Sequence, residues 1–207
     1  MPPRIHDITR PVYAGMPVWP GDAPCTLAWT GHAAQGGANV AAISCSVHTG
    51  THADGPYHVL DGGARIGDVP LEAFVGPAHV VDAVGVREIG AEWLETHLPG
   101  GCERVLLRTG AWDDPATFPG AWPALTVDAA RLLVRRGVRL VGTDAPSPDP
   151  LDSSELPVHR VLLGAGIAIV ENLMLDGVAP GGYELIALPL RLAEADSSPV
   201  RAVLVER

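Results

Sequence analysis

The sequence predicts an α/β fold, a single domain over residues 1–207 with a β-rich mixed-sheet core and few helices. Three observations point there. Short apolar or alternating runs recur along the chain, each bounded by turn-forming residues. Glycine (24) and proline (20) are spread throughout, without a repeat, linker or low-complexity block, which implies many short elements joined by tight turns. Only three segments carry helix signals, so strands outnumber helices.

Taken in order, Val40–His48 alternates, with Ala41, Ile43, Cys45 and Val47 on one face and a second face that turns polar towards His48. Cys45 therefore reads as a core residue rather than a nucleophile. A strand follows at His79–Val84, then a short helix at Ala91–His97 and a strand at Arg104–Arg108. The pair Asp113-Asp114 reads as a solvated loop. Thr126–Arg136 is the clearest helix: Thr126 can cap it, Asp128 sits in its first turn, Arg135 and Arg136 in its last, and Gly137 ends it. A strand at Val138–Gly142 precedes a third helix at Glu155–Leu163, which Gly164 stops. Strands at Ile167–Glu171, Glu184–Leu188 and Val200–Val205 complete the core.

Composition removes several functional classes. The longest apolar run, Val161 to Val170, is far short of the roughly 20 residues of a membrane span. The start, MPPRIHDITRP, has no apolar signal core, so a cytoplasmic protein is expected. Net charge is −10 and no basic patch is visible, so nucleic acid is not an expected partner. Lysine is absent, which excludes a lysine Schiff base and a Walker-type phosphate loop. The three cysteines are far apart, so neither a thiolate zinc knuckle nor a disulfide framework is expected. GAGIAIVE lacks the third glycine of a dinucleotide loop and stands before a strand, and no GxSxG elbow exists.

Chemistry concentrates in HTGTHADGPYH, residues 48–58. Three histidines and an aspartate lie among Thr, Gly, Ala and Pro. His48 and His52 have the spacing of a zinc-protease helix, but Gly50 and Gly55-Pro56 make a helix improbable. A turn leaving the strand can instead aim His48, His52 and Asp54 at one point, and these are ligands for Zn²⁺, Mn²⁺ and similar ions. A polar turn is the plainer alternative. His58, behind Pro56, is either a further ligand or a free proton carrier.

HTGTHADGPYH resembles the HxGTHxDxPxH signature of the metal-dependent cyclase-like hydrolases. Within them the chain is similar to the bacterial kynurenine formamidases, through DITRPVYAGMPVWPGD, VGTDAPSPDP and GGYELIALPLRLAEADSSPVRAVL. The resemblance implies a cyclase-like swivelling β/β/α fold, two divalent ions, typically zinc with manganese as the alternative, a small-molecule substrate and a homodimer. It implies that His48, His52 and Asp54 hold the first ion, that Asp54 bridges to a second held by His159, and that Glu171 reaches both. It makes His58 the general acid/base and Trp19 a substrate contact. The implied reaction is hydrolysis of N-formyl-L-kynurenine to L-kynurenine and formate. A cyclic amide such as isatin, another arylamide, or metal binding without catalysis are the alternatives.

These residues also have readings of their own. Glu171 ends the apolar run at Ile167–Val170, where a carboxylate is costly unless a cation pairs with it; a water-facing strand end is the simpler option. His159 alone reads as a surface helix residue, and Trp19 as packing under a turn or an aryl-stacking face. The loop LDSSELPVHR departs from the family pattern and leads to His159. Asp144, after a strand, suits a carboxylate that orients a ligand from behind.

Overall fold

The computed structural model describes residues 3–112 and 114–206. Asp113 of the Asp113-Asp114 pair lies outside them; Asp114 is exposed and accepts bonds from Ala116 N and Thr117 Oγ1. The described residues form eleven strands: β1 (Ile5–Asp7), β2 (Thr26–Gly31), β3 (Val40–Ser44), β4 (His52–Asp54), β5 (Val75–Asp82), β6 (Arg104–Arg108), β7 (Leu140–Thr143), β8 (Ala168–Glu171), β9 (Gly181–Ile186), β10 (Ser197–Pro199) and β11 (Val203–Val205). Three α-helices accompany them: α1 (Ala91–His97), α2 (Val127–Arg135) and α3 (Pro157–Gly164).

Nine strands form one mixed sheet in the order β1-β11-β9-β5-β6-β7-β8-β4-β10. Its centre, β5-β6-β7-β8, is parallel, because helices carry the chain back between successive strands. The flanking strands pair antiparallel. The central strands are apolar on both faces, as strands covered on both sides require. On β6, Val105 and Leu107 pack with Leu94, Leu133 and Leu162 of the helices, while Leu106 turns to a second core with Phe74 and Leu185.

That alternation decides where the polar side chains go. Ile167 and Ile169 belong to the helix-side core, whereas Ala168 and Val170 belong to the other. By the two-residue period Glu171 therefore faces the helices. On β4, Ala53 lies in the second core, and the register sets His52 opposite Glu171 and Asp54 opposite Ile169. Directly opposed residues share a face, so His52, Asp54 and Glu171 stand together beneath α3.

Several elements differ from the sequence prediction. β3 stops at Ser44, and its five residues are all exposed, because it pairs with β2 alone in a separate hairpin. Cys45 is accordingly half-buried rather than in the core, while Cys25 is the buried cysteine. The turn assigned to residues 48–54 ends early: His52–Asp54 is itself a strand. Helix α2 begins as predicted, with Thr126 Oγ1 accepting from Ala129 N at 3.1 Å. Helix α3 starts at Pro157, after Leu156 in the left-handed region (φ 47°), rather than at Glu155.

Candidate metal centre

His48 lies on the turn before β4, His52 and Asp54 on β4, His159 on the first turn of α3, and Glu171 at the end of β8. The fold brings all five together. Asp54 Oδ1 is 3.2 Å from His48 Nδ1 and 3.6 Å from His52 Nε2. Asp54 Oδ2 is 3.7 Å from His159 Nε2. Glu171 divides in the same way, with Oε2 3.1 Å from His52 Nε2 and Oε1 3.1 Å from His159 Nε2. Each carboxylate thus gives one oxygen to the His48/His52 side and the other to the His159 side.

His52, Asp54, His159 and Glu171 are at most 5% exposed. His159 is therefore not a surface helix residue, and Glu171 does not face water. Both oxygens of Asp54, and His52 Nε2, are buried without a hydrogen-bond partner among the described residues. A buried carboxylate without a well-formed hydrogen bond costs several kcal/mol unless positive charge balances it, and Asp54 faces only the histidine nitrogens that a metal ion would share. The donor set, imidazole nitrogen with carboxylate oxygen, suits divalent zinc or manganese. The pattern fits a metal centre and not a polar turn.

The histidines are prepared for that role from behind. His52 Nδ1 donates to Gly50 O at 2.9 Å, leaving Nε2 to face the carboxylates. His159 Nδ1 donates to Asp149 Oδ2 at 2.6 Å, and Asp149 also accepts from Val158 N and His159 N. One carboxylate therefore caps α3 and fixes the His159 ring. His48 Nε2 and His58 Nδ1 share Asp196 Oδ2, at 3.0 and 2.9 Å. His58 also stands close enough to His48 and Asp54 to complete a ligand group with them.

Electrostatics agree with the geometry. Burial pushes His48, His52 and His159 down, but the surrounding carboxylates outweigh it. His48 rises to about 10, His52 rises, and His159 lies well above its ordinary value. Burial likewise pushes Asp54 and Glu171 up, yet the histidines hold both below the usual carboxylate range. The bonds from His48 and His58 hold Asp196 far down. Such a field stabilises positive charge at the centre.

A cavity of about 290 Å³ opens over this floor. His48, His52, His58, His159 and Glu171 line its polar end. Trp19, Trp112 and Phe118 form its aromatic wall, with Trp19 edge-on to Phe118 (5.7 Å) and to Trp122 (6.0 Å). Trp19 thus packs and lines the cavity at once. Ser153, Ser154 and Leu156, from the loop that departs from the family pattern, line it too. Among the described residues Asp144 makes no hydrogen bond to His48, His52, His159, Asp54 or Glu171. Its oxygens accept from Thr109 N, Thr109 Oγ1 and Gly110 N, which ties down the loop after β6. Asp149 and Asp196 were not singled out in the sequence, because neither belongs to the histidine-rich string.

The Cyclase family model, described as "Putative cyclase", matches residues 6–150. A protein of Bacillus cereus named "Kynurenine formamidase" is 44% identical over 200 residues, 96% of this chain and 95% of that one. A solved structure described as a "predicted metal-dependent hydrolase from Bacillus stearothermophilus" superposes with a TM-score of 0.85 at 31% identity, covering 100% of both chains. Isatin hydrolase A from Labrenzia aggregata superposes with a TM-score of 0.78 at 27% identity, over 98% of this chain and 93% of that one. With the signature histidines gathered on one floor and a full-length likeness to metal-dependent hydrolases, the chain belongs to the cyclase family, among relatives named kynurenine formamidase.

Proposed function

We propose that the protein is a metal-dependent arylformamidase that hydrolyses N-formyl-L-kynurenine to L-kynurenine and formate. The observation that carries this reading is the buried Asp54 carboxylate, whose oxygens make no well-formed hydrogen bond and face the nitrogens of His48, His52 and His159 at the floor of an aromatic-walled cavity. The name carried by relatives at 44% identity supports the substrate.

His48 and His52 would hold one divalent ion and His159 a second, with Asp54 and Glu171 shared, following the way each carboxylate divides its oxygens. Zinc is the preferred ion and manganese the alternative. Bound ions supply Lewis acidity, polarising the formyl carbonyl and lowering the pKa of the attacking water. His58 is the proton carrier. Asp196 fixes its ring through Nδ1, so Nε2 is free to take the proton of the attacking water and deliver it to the aryl nitrogen. Addition of water to the carbonyl carbon and cleavage of the C–N bond then release the neutral aryl amine and formate, the second proton of the water passing to solvent. Trp19 contributes an aryl-stacking face.

The protein acts on a small molecule as a single-domain unit in the cytoplasm, and among the described residues no helix is long and apolar enough to cross a membrane. Leu27, Trp29, Val40 and Ile43 are exposed on the β2–β3 hairpin, a surface that a second copy would cover in a homodimer.

Comparison of N-formyl-L-kynurenine, an aliphatic formamide and isatin on metal-analysed protein tests the reading. The first should be hydrolysed much the fastest. Equal rates on the two formamides would remove Trp19 from binding, and preference for isatin would move the protein to the reaction named for its structural neighbour. Metal-replete protein inert on all three would be a binding protein.

A further inference from the structure

Arg10 has no part in the chemistry above, yet its placement is unusual. Its backbone N–H donates to Thr51 Oγ1 (2.8 Å), and that hydroxyl donates to Asn172 O (2.7 Å), so the residue is anchored beside both β4 and the end of β8. The residue is 8% exposed, lines the cavity and has its Cζ 3.8 Å from the centre of the Trp112 ring. Burial lowers its pKa to about 10, so it keeps its charge at neutral pH.

A buried guanidinium is normally paired. Here Nε is buried without a hydrogen-bond partner among the described residues. Asp144 and Asp176 attract it at a distance, but the oxygens of Asp144 are already engaged by Thr109 and Gly110. Trp112 Nε1, on the same cavity wall, is also buried and unpartnered. Arg10 and Trp112 thus both line the cavity, and each carries a buried N–H donor without an acceptor among the described residues. The complementary group is a carboxylate, which a guanidinium fork matches in both charge and shape.

We propose that Arg10, held against the Trp112 ring, binds the α-carboxylate of the substrate and so selects amino-acid formamides over neutral arylformamides. This rests on the arylformamidase reading. The metal centre acts on the formyl end, and Arg10 holds the opposite, charged end of the same molecule. Chain length and ring position then set which formamides place both ends at once.

The test compares N-formyl-L-kynurenine with 2-formamidoacetophenone, which keeps the aryl formamide and ketone but lacks the amino-acid tail. In Arg10→Met, which retains side-chain length against Trp112, the ratio of kcat/KM for the two substrates should fall about 100-fold, the usual worth of a charged hydrogen-bonded pair. Arg10→Lys should recover part of that ratio. In parallel, calorimetry on zinc-loaded protein should show L-kynurenine binding more tightly than 2-aminoacetophenone, with the preference lost in Arg10→Met. An unchanged ratio, or an unchanged binding preference, overturns the proposal. If wild type hydrolyses neither formamide but the binding preference is present and Arg10-dependent, the carboxylate site stands and the formamidase reading falls.

Discussion

Replacing Asp149 by Asn isolates the support behind one ligand. The carboxylate accepts three bonds, from Val158 N (2.9 Å), His159 N (3.0 Å) and His159 Nδ1 (2.6 Å). Asparagine keeps one acceptor oxygen and turns the other atom into a donor. The amide can still cap α3 through its oxygen, but its NH₂ then opposes His159 Nδ1–H. A charge-assisted bond to a buried group is worth about 1.5–3 kcal/mol, and some of this reappears in ligand binding because the ring loses its fixed orientation. The expected loss in zinc affinity is about 10–100-fold, the usual effect of removing a group that orients a metal-bound histidine. Competition with a chromophoric chelator measures it directly. A lowered Tm with wild-type zinc affinity would show that Asp149 acts as a helix cap alone and would refute the orienting role.

Three further outcomes are expected. His58→Ala should keep wild-type metal content while turnover falls about 10²–10⁴-fold; metal loss reversed by added zinc would instead make His58 a ligand, as its place beside His48 and Asp54 also allows. Zinc binding to the metal-free protein at pH 7 should release protons, because the raised histidines are protonated there and must become neutral to bind; titration calorimetry in buffers of different ionisation enthalpy reads this, and zero release would contradict the assigned ligands. Gly142→Ala should cost about 1–3 kcal/mol in chemical denaturation, since a Cβ there would run into Leu106 Cδ2 and lie 2.8 Å from Leu173 Cδ1, both in the packed core; wild-type stability would show that the core yields.

The legible parts of this fold were those whose information is local. The central strands are apolar runs buried on both faces, and α2 carries its cap, charges and stop within its own sequence. β4 was hidden because its three residues sit between a glycine turn and Gly55-Pro56, and only its neighbours β8 and β10 make it a strand. β3 misled for the opposite reason: it alternates like a half-buried strand, yet no layer covers it. The start of α3 is set by Asp149, ten residues before the His159 it orients, and by the left-handed Leu156. At the site, His48, His52, Asp54 and His58 form a dense string, and resemblance drew in His159, Glu171 and Trp19. Asp196 stayed invisible because the histidines it joins lie 148 and 138 residues away. Arg10 carries no sequence signal at all: its significance is a buried charge without a partner.

The central claim is that the buried His/Asp/Glu floor holds the metal that hydrolyses a formyl-arylamine. It is tested most directly by following N-formyl-L-kynurenine turnover, by absorbance, on protein whose metal content is measured at each stage: as purified, after chelation, and after zinc is restored. Wild type should lose turnover with its metal and regain it with zinc, whereas Asp54→Ala, without the carboxylate both halves of the centre share, should neither hold zinc nor recover activity. Full turnover by metal-free protein, or wild-type zinc content in Asp54→Ala, would contradict the account.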